Sequence, residues 1–64
     1  MNVDTVTARV RAEFDEMPGL MLTVPQASRL FGLDEEMCRM IVERLVRVAY
    51  LRRTDNGAVT RAER

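Results

Sequence analysis

Few side chains here can do chemistry, and their spacing narrows the choice further. Cys38 is the single cysteine, and there is no histidine and no lysine in the 64 residues. A nucleophile needs a base within reach, and the usual imidazole is missing. One thiol cannot close an intrachain disulfide, and a zinc site would need several Cys or His ligands. The three glycines, Gly19, Gly32 and Gly57, stand alone, so no phosphate-cradling loop can be assembled. Glu35 and Glu36 are adjacent carboxylates. A chain this short can hardly wall off the dry cleft that would tune such a pair for acid–base work. The expectation is a protein that is not an enzyme, with no cofactor and no metal. What remains is ten arginines against ten acids, a formal net charge of zero. No global basic field is available to draw in nucleic acid or a membrane surface.

The apolar fraction is 47% and the charged fraction 31%, the balance of a globular chain rather than of a disordered one. One domain, residues 1–64, is the expectation, and a core this small gives marginal stability unless something else helps. Apolar runs are too short to span a membrane. The leading MNVDTVTARV lacks the apolar centre of a secretory signal, so the cytoplasm is the expected setting.

The elements that must position these side chains follow from periodicity. Val3, Val6, Val10, Phe14 and Met17 recur at intervals of three and four, a narrow apolar stripe on a first helix that Pro18-Gly19 stops. Leu20-Met21-Leu22 fits a short strand. Thr23-Val24-Pro25-Gln26 is a capping-box start with proline in the first turn. A second helix therefore begins at Val24, buries Val24, Ala27, Leu30 and Phe31, and ends at Gly32. Asp34 caps a third helix that runs from about Glu35 to Val48. Its buried arc is Met37, Cys38, Ile41, Val42, Leu45, Val48 and Ala49, so Cys38 reads as a small core hydrophobe rather than a reactive thiol. Glu35–Arg39, Arg39–Glu43 and Glu43–Arg47 are i, i+4 pairs, the ladder of a solvated face. Tyr50–Thr54 and Ala58–Arg61 alternate as two strands around Asp55-Asn56-Gly57, whose Asn-Gly pair suits a tight hairpin. Leu51 and Val59 would point inward, and the tail Ala62-Glu63-Arg64 is expected to fray. The fold class expected is mainly α with a small β wing, three helices plus a β-hairpin, with Val10, Phe14, Leu30, Ile41, Leu45 and Leu51 in one core.

This order resembles the winged helix-turn-helix domains of bacterial transcription regulators, in particular small stand-alone winged-helix proteins. The residues that carry the resemblance are Leu22-Thr23-Val24-Pro25-Gln26-Ala27, Leu30-Phe31-Gly32-Leu33-Asp34, the run Ile41 to Leu45, and Ala49-Tyr50-Leu51-Arg52-Arg53 with its Asp-Asn-Gly wing. It implies a DNA-binding transcription regulator, with the third helix in the major groove and the wing on a neighbouring groove or the backbone. Carried onto this chain, the base-facing positions would be Glu35, Glu36, Arg39, Met40 and Glu43. Gln26 and Ser28 on the second helix, and Arg52, Arg53, Asn56 and Arg61 on the wing, would meet phosphates.

The charge pattern departs from that expectation. Affinity for DNA comes mostly from neutralised phosphates, yet the groove-facing tip reads Asp34-Glu35-Glu36. Basic charge concentrates instead from Tyr50 to Arg64, where four arginines face two acids. Two functions are therefore carried forward. One is a small winged-helix DNA-binding regulator, expected to dimerise, gripping double-stranded DNA through wing arginines. The other is a protein-interaction module on the same fold, without DNA binding, contacting its partner through Glu35, Glu36 and Met40. A continuous positive band across wing and third helix would favour the first, and a broken one the second.

Overall fold

A computed structural model describes residues 2–62, so the expected fraying of Glu63 and Arg64 lies outside the described residues. The elements are α1 (Val3–Glu16), β1 (Met21–Leu22), α2 (Val24–Phe31), α3 (Glu35–Arg47), β2 (Leu51–Arg53) and β3 (Val59–Arg61). The chain is thus mainly helical, with three helices and a small antiparallel sheet, an arrangement compatible with a winged helix. No helix among the described residues is long and apolar enough to cross a membrane.

Local chemistry sets each boundary. The Asn2 side chain caps α1 by accepting from the backbone N–H of Asp4 at 2.8 Å. At α2 the capping box closes in both directions: Gln26 N–H donates to Thr23 Oγ1 at 3.3 Å and Thr23 N–H to Gln26 Oε1 at 2.9 Å. Gly32 ends that helix at φ 66°. Asp34 caps α3, accepting from Glu36 N–H at 3.1 Å and Met37 N–H at 3.4 Å.

The sheet order is β1-β3-β2, all antiparallel. The expected hairpin is therefore the larger part of a three-stranded sheet, because β1 pairs Met21 with Thr60 and Leu22 with Val59. Thr60 is the one buried polar residue among the core positions, and its hydroxyl donates to the Leu20 carbonyl at 2.7 Å, tying the approach to β1 onto β3. The wing turn is the expected Asp55-Asn56-Gly57, with the positive φ, 85°, confined to Gly57. Thr54 N–H donates to the Ala58 carbonyl at 2.8 Å across this loop of three residues. Thr54 Oγ1 accepts from Ala58 N–H at 3.1 Å and so stands in for a ladder bond the loop leaves open.

Val6, Val10 and Phe14 of α1, Ala27 and Phe31 of α2, and Cys38, Ile41, Val42 and Leu45 of α3 meet Leu51 and Val59 in one core. Four expected core positions lie elsewhere. Leu30 is 53% exposed, because α2 buries only the arc through Ala27 and Phe31 and Leu30 falls to its side. Met17 is 45% exposed, since it is the C-cap and its backbone has left the helical path that aligned the stripe. The third is Val48, 65% exposed, for α3 stops at Arg47 and Val48 becomes the cap. Ala49, also expected inside, is exposed at φ 66°, where the chain reverses toward β2.

Candidate functional site

The surface that the resemblance singles out is the outer side of α3 with the adjoining wing. Cys38, Ile41, Val42 and Leu45 anchor α3 from beneath. With 100° per residue, the ridge diametrically opposite those four is Glu36, Met40, Glu43 and Arg47. All four are exposed, Met40 to 57%. Asp34, Glu36, Met37, Arg39, Met40 and Glu43 line an open concavity of about 440 Å³ along this side of the helix. The ridge carries two carboxylates, one thioether and one guanidinium. Arg47, at its far end, was not among the candidates read from the sequence, although the same wheel places it there.

Each candidate contact can be followed to what it touches. Gln26 is consumed by the capping box, with its Oε1 on Thr23 N–H at 2.9 Å. Ser28 Oγ donates to the Pro25 carbonyl at 2.9 Å. Asn56 accepts through Oδ1 from the Thr54 hydroxyl inside the wing loop. Arg39 pairs with Glu35 at 3.9 Å, Arg53 with Glu43 at 4.0 Å, and Arg61 with Asp15 at 3.4 Å. The Arg52 side chain alone of the proposed DNA contacts has no ion pair or hydrogen bond among the described residues, although its backbone pairs with Thr60 in the sheet. The expected i, i+4 ladder closes only at Glu35–Arg39. Glu43 reaches across to the wing instead of along its own helix. These pairs are about half exposed, so each adds little stability, but each places a carboxylate beside a cation.

Electrostatically the tip is also less open than the sequence implies. The Asp34 carboxylate is turned into the first turn of α3 as its cap, where the helix dipole favours it. Glu36 is left facing outward. Glu36 and Glu43 are exposed on the same side of α3 as Arg47, and Glu43 meets the wing at Arg53, so a carboxylate stands at the junction of α3 and the wing. Cys38 is buried, its Sγ 3.9 Å from the Val24 carbonyl, and burial, then the nearby Glu35, push its pKa up. A thiol held protonated in the core is inert.

A cluster outside the expected site joins the two ends of the chain. The Tyr50 hydroxyl meets the Asp15 carboxylate and lies 3.1 Å from the Arg11 carbonyl oxygen. The Arg11 guanidinium sits over its ring at 4.6 Å, and that of Arg61 at 5.8 Å. Arg61 is thus engaged by α1 and by Tyr50 rather than extended from the wing. Nothing in the local pattern signals this cluster, because the contacts of Tyr50 with Arg11 and Asp15 span 39 and 35 residues of sequence. Among the described residues no three metal-ligating side chains gather. No family model matches this chain, and comparison with curated proteins and with solved structures returns no match either.

Proposed function

We propose that this chain is a protein-interaction module on a winged-helix scaffold, and that its contact surface is the outer ridge of α3. The observation that carries this reading is the composition of that ridge, in which an exposed Met40 lies between Glu36 and Glu43. Methionine adapts to irregular partner surfaces, and flanking carboxylates select a partner with basic groups around an apolar side chain. The same carboxylates oppose the backbone of a nucleic acid. Arg39, Arg53 and Arg61 would each have to leave an acid before meeting a phosphate.

One observation favours the other reading, a winged-helix transcription regulator that binds double-stranded DNA. Arg52 on the wing and Arg47 on α3 are exposed and have no ion pair among the described residues. An anisotropy titration with random duplex DNA at low salt decides between them. The interaction module gives no binding up to ~100 µM, below the affinity range of ordinary non-specific binders, ~10⁻⁴–10⁻⁶ M. Binding that falls steeply with salt, weakens in Arg52→Ala/Arg53→Ala and strengthens in Glu35→Gln/Glu36→Gln would overturn it in favour of DNA.

A further inference from the structure

The ridge Glu36–Met40–Glu43–Arg47 is complementary to itself when reversed. Its two ends carry opposite charges, and its two inner positions share the same midpoint as its outer ones. An antiparallel copy of α3 laid along it, with the two-fold axis between Met40 and Glu43, brings Glu36 opposite Arg47 of the second copy. The same axis brings Arg47 opposite the second copy's Glu36. The eleven-residue spacing puts these contacts about 16 Å apart, at the two ends of the shared surface. Between them Met40 of each copy stands level with Glu43 of the other, and the two Met40 side chains, on one flank of the contact, meet diagonally across the axis. The two Glu43 carboxylates are diagonal neighbours on the other flank, but each already has the Arg53 guanidinium of its own chain at 4.0 Å. Antiparallel helices also set their dipoles in opposition, which favours this orientation over the parallel one.

We propose that the occupant of the α3 ridge is a second copy of this chain, held in an isologous, antiparallel α3–α3 contact. The inference rests on the interaction-module reading and names its partner. A contact with one patch used twice is what closed two-fold assemblies require. It also removes Met40 from water. A single helix face is small beside stable interfaces, so the association is weak and concentration-dependent. It hides the face that a DNA-binding reading would place in a groove, so the two uses of α3 compete.

Charge reversal tests the register. Sedimentation equilibrium is run on the parent, on Glu36→Arg and on Arg47→Glu, from ~10 to ~500 µM, with circular dichroism confirming that each variant is folded. The parent shifts toward twice the monomer mass as concentration rises. Each single variant sets like charges together at both ends and raises the dissociation constant tenfold or more. An equimolar mixture of the two variants restores association, because every end contact is then Arg against Glu. A parent that stays monomeric throughout, or reversals that leave the association unchanged, overturns the proposal. The DNA titration on the same samples separates the levels. A monomeric parent with no DNA binding removes only the second copy as partner, whereas salt-sensitive DNA binding removes the interaction reading itself.

Discussion

Ala49 holds the left-handed conformation, φ 66°, that Gly32 holds at the end of α2, also φ 66°. Both close their helix through the N–H of the residue that follows. Leu33 N–H reaches back to the Ser28 carbonyl at 2.9 Å, and Tyr50 N–H to the Leu45 carbonyl at 2.9 Å. At the end of α3 the Ala49 N–H also donates to the Val46 carbonyl at 3.0 Å, completing a Schellman motif. At α2 the Gly32 N–H returns instead to the Ser28 carbonyl, yet both ends need the same left-handed residue, glycine in one and alanine in the other. An L-residue with a Cβ is disfavoured there by roughly 1–2 kcal/mol, partly offset by the greater unfolded-state freedom of glycine. Ala49→Gly is therefore expected to stabilise the protein by about 0.5–1 kcal/mol, a gain of several degrees in Tm for a chain of this size. Gly32→Ala is expected to cost about as much, since a Cβ there meets nothing within 4 Å and only the backbone is strained. Thermal melts of the two variants should move in opposite directions, and a shared direction would show that the φ values are not what sets them.

At the scale of elements, the boundaries were legible where one short-range device decides them. The capping box at Thr23–Gln26 and the Asp34 cap are written in three or four consecutive residues, and both helices start where those residues say. The buried arc of α3 was legible because four apolar side chains repeat at helical spacing. What the sequence could not show is which flank of a short helix its neighbours cover. Leu30 satisfied the period of α2 but fell outside the arc that α3 and β1 press upon. The candidate site was legible only as a list of exposed residues. That Glu43 would reach Arg53, and Arg61 reach Asp15, depends on how α3, β2, β3 and α1 dock, and neither pair lies within one element. The distinction gives a paired test. Leu45, 3% exposed in the middle of α3, should lose ~2–5 kcal/mol when cut to alanine, a large share of the stability of a domain this small. Leu30→Ala should stay within about 0.5 kcal/mol of the parent, as exposed substitutions do. Chemical denaturation of both variants reads the difference, and a Leu30 variant as damaged as the Leu45 one would place Leu30 in the core after all.

For the whole molecule, the absence of histidine and lysine makes the alkaline limb of stability unusually simple. Above neutral pH the side chains that titrate before arginine are one cysteine and one tyrosine, and both are held protonated by the fold. Burial raises Cys38 first, with Glu35 adding to it. Burial also leads for Tyr50, followed by its hydrogen bond to Asp15, while Arg11 and Arg61 pull the other way. In the unfolded chain these groups lose their protons near pH ~8.5 and ~10, before the folded ones do. Over that interval the native state binds more protons than the unfolded state, so stability falls as pH rises. The contribution of both groups is fully present below pH ~8.5, begins to fade there as Cys38 enters its window, and fades faster above ~10 as Tyr50 enters its own. Tyr50 is the larger structural stake, because its hydroxyl and ring join Arg11 and Asp15 on α1 to Arg61 on β3. Once ionised, that hydroxyl faces the Asp15 carboxylate without a proton between them. Denaturation at pH 7, 9, 10 and 11 should give a flat start and a steepening loss in the parent. Tyr50→Phe should begin less stable at pH 7 by about 1 kcal/mol for the lost hydrogen bond, yet lose little more above pH 10. Cys38→Ala should keep the steep upper part and lose the early one. A parent profile that is level from pH 8 to 11, or a Tyr50→Phe profile parallel to it, would mean that the α1–β3 junction does not depend on that proton.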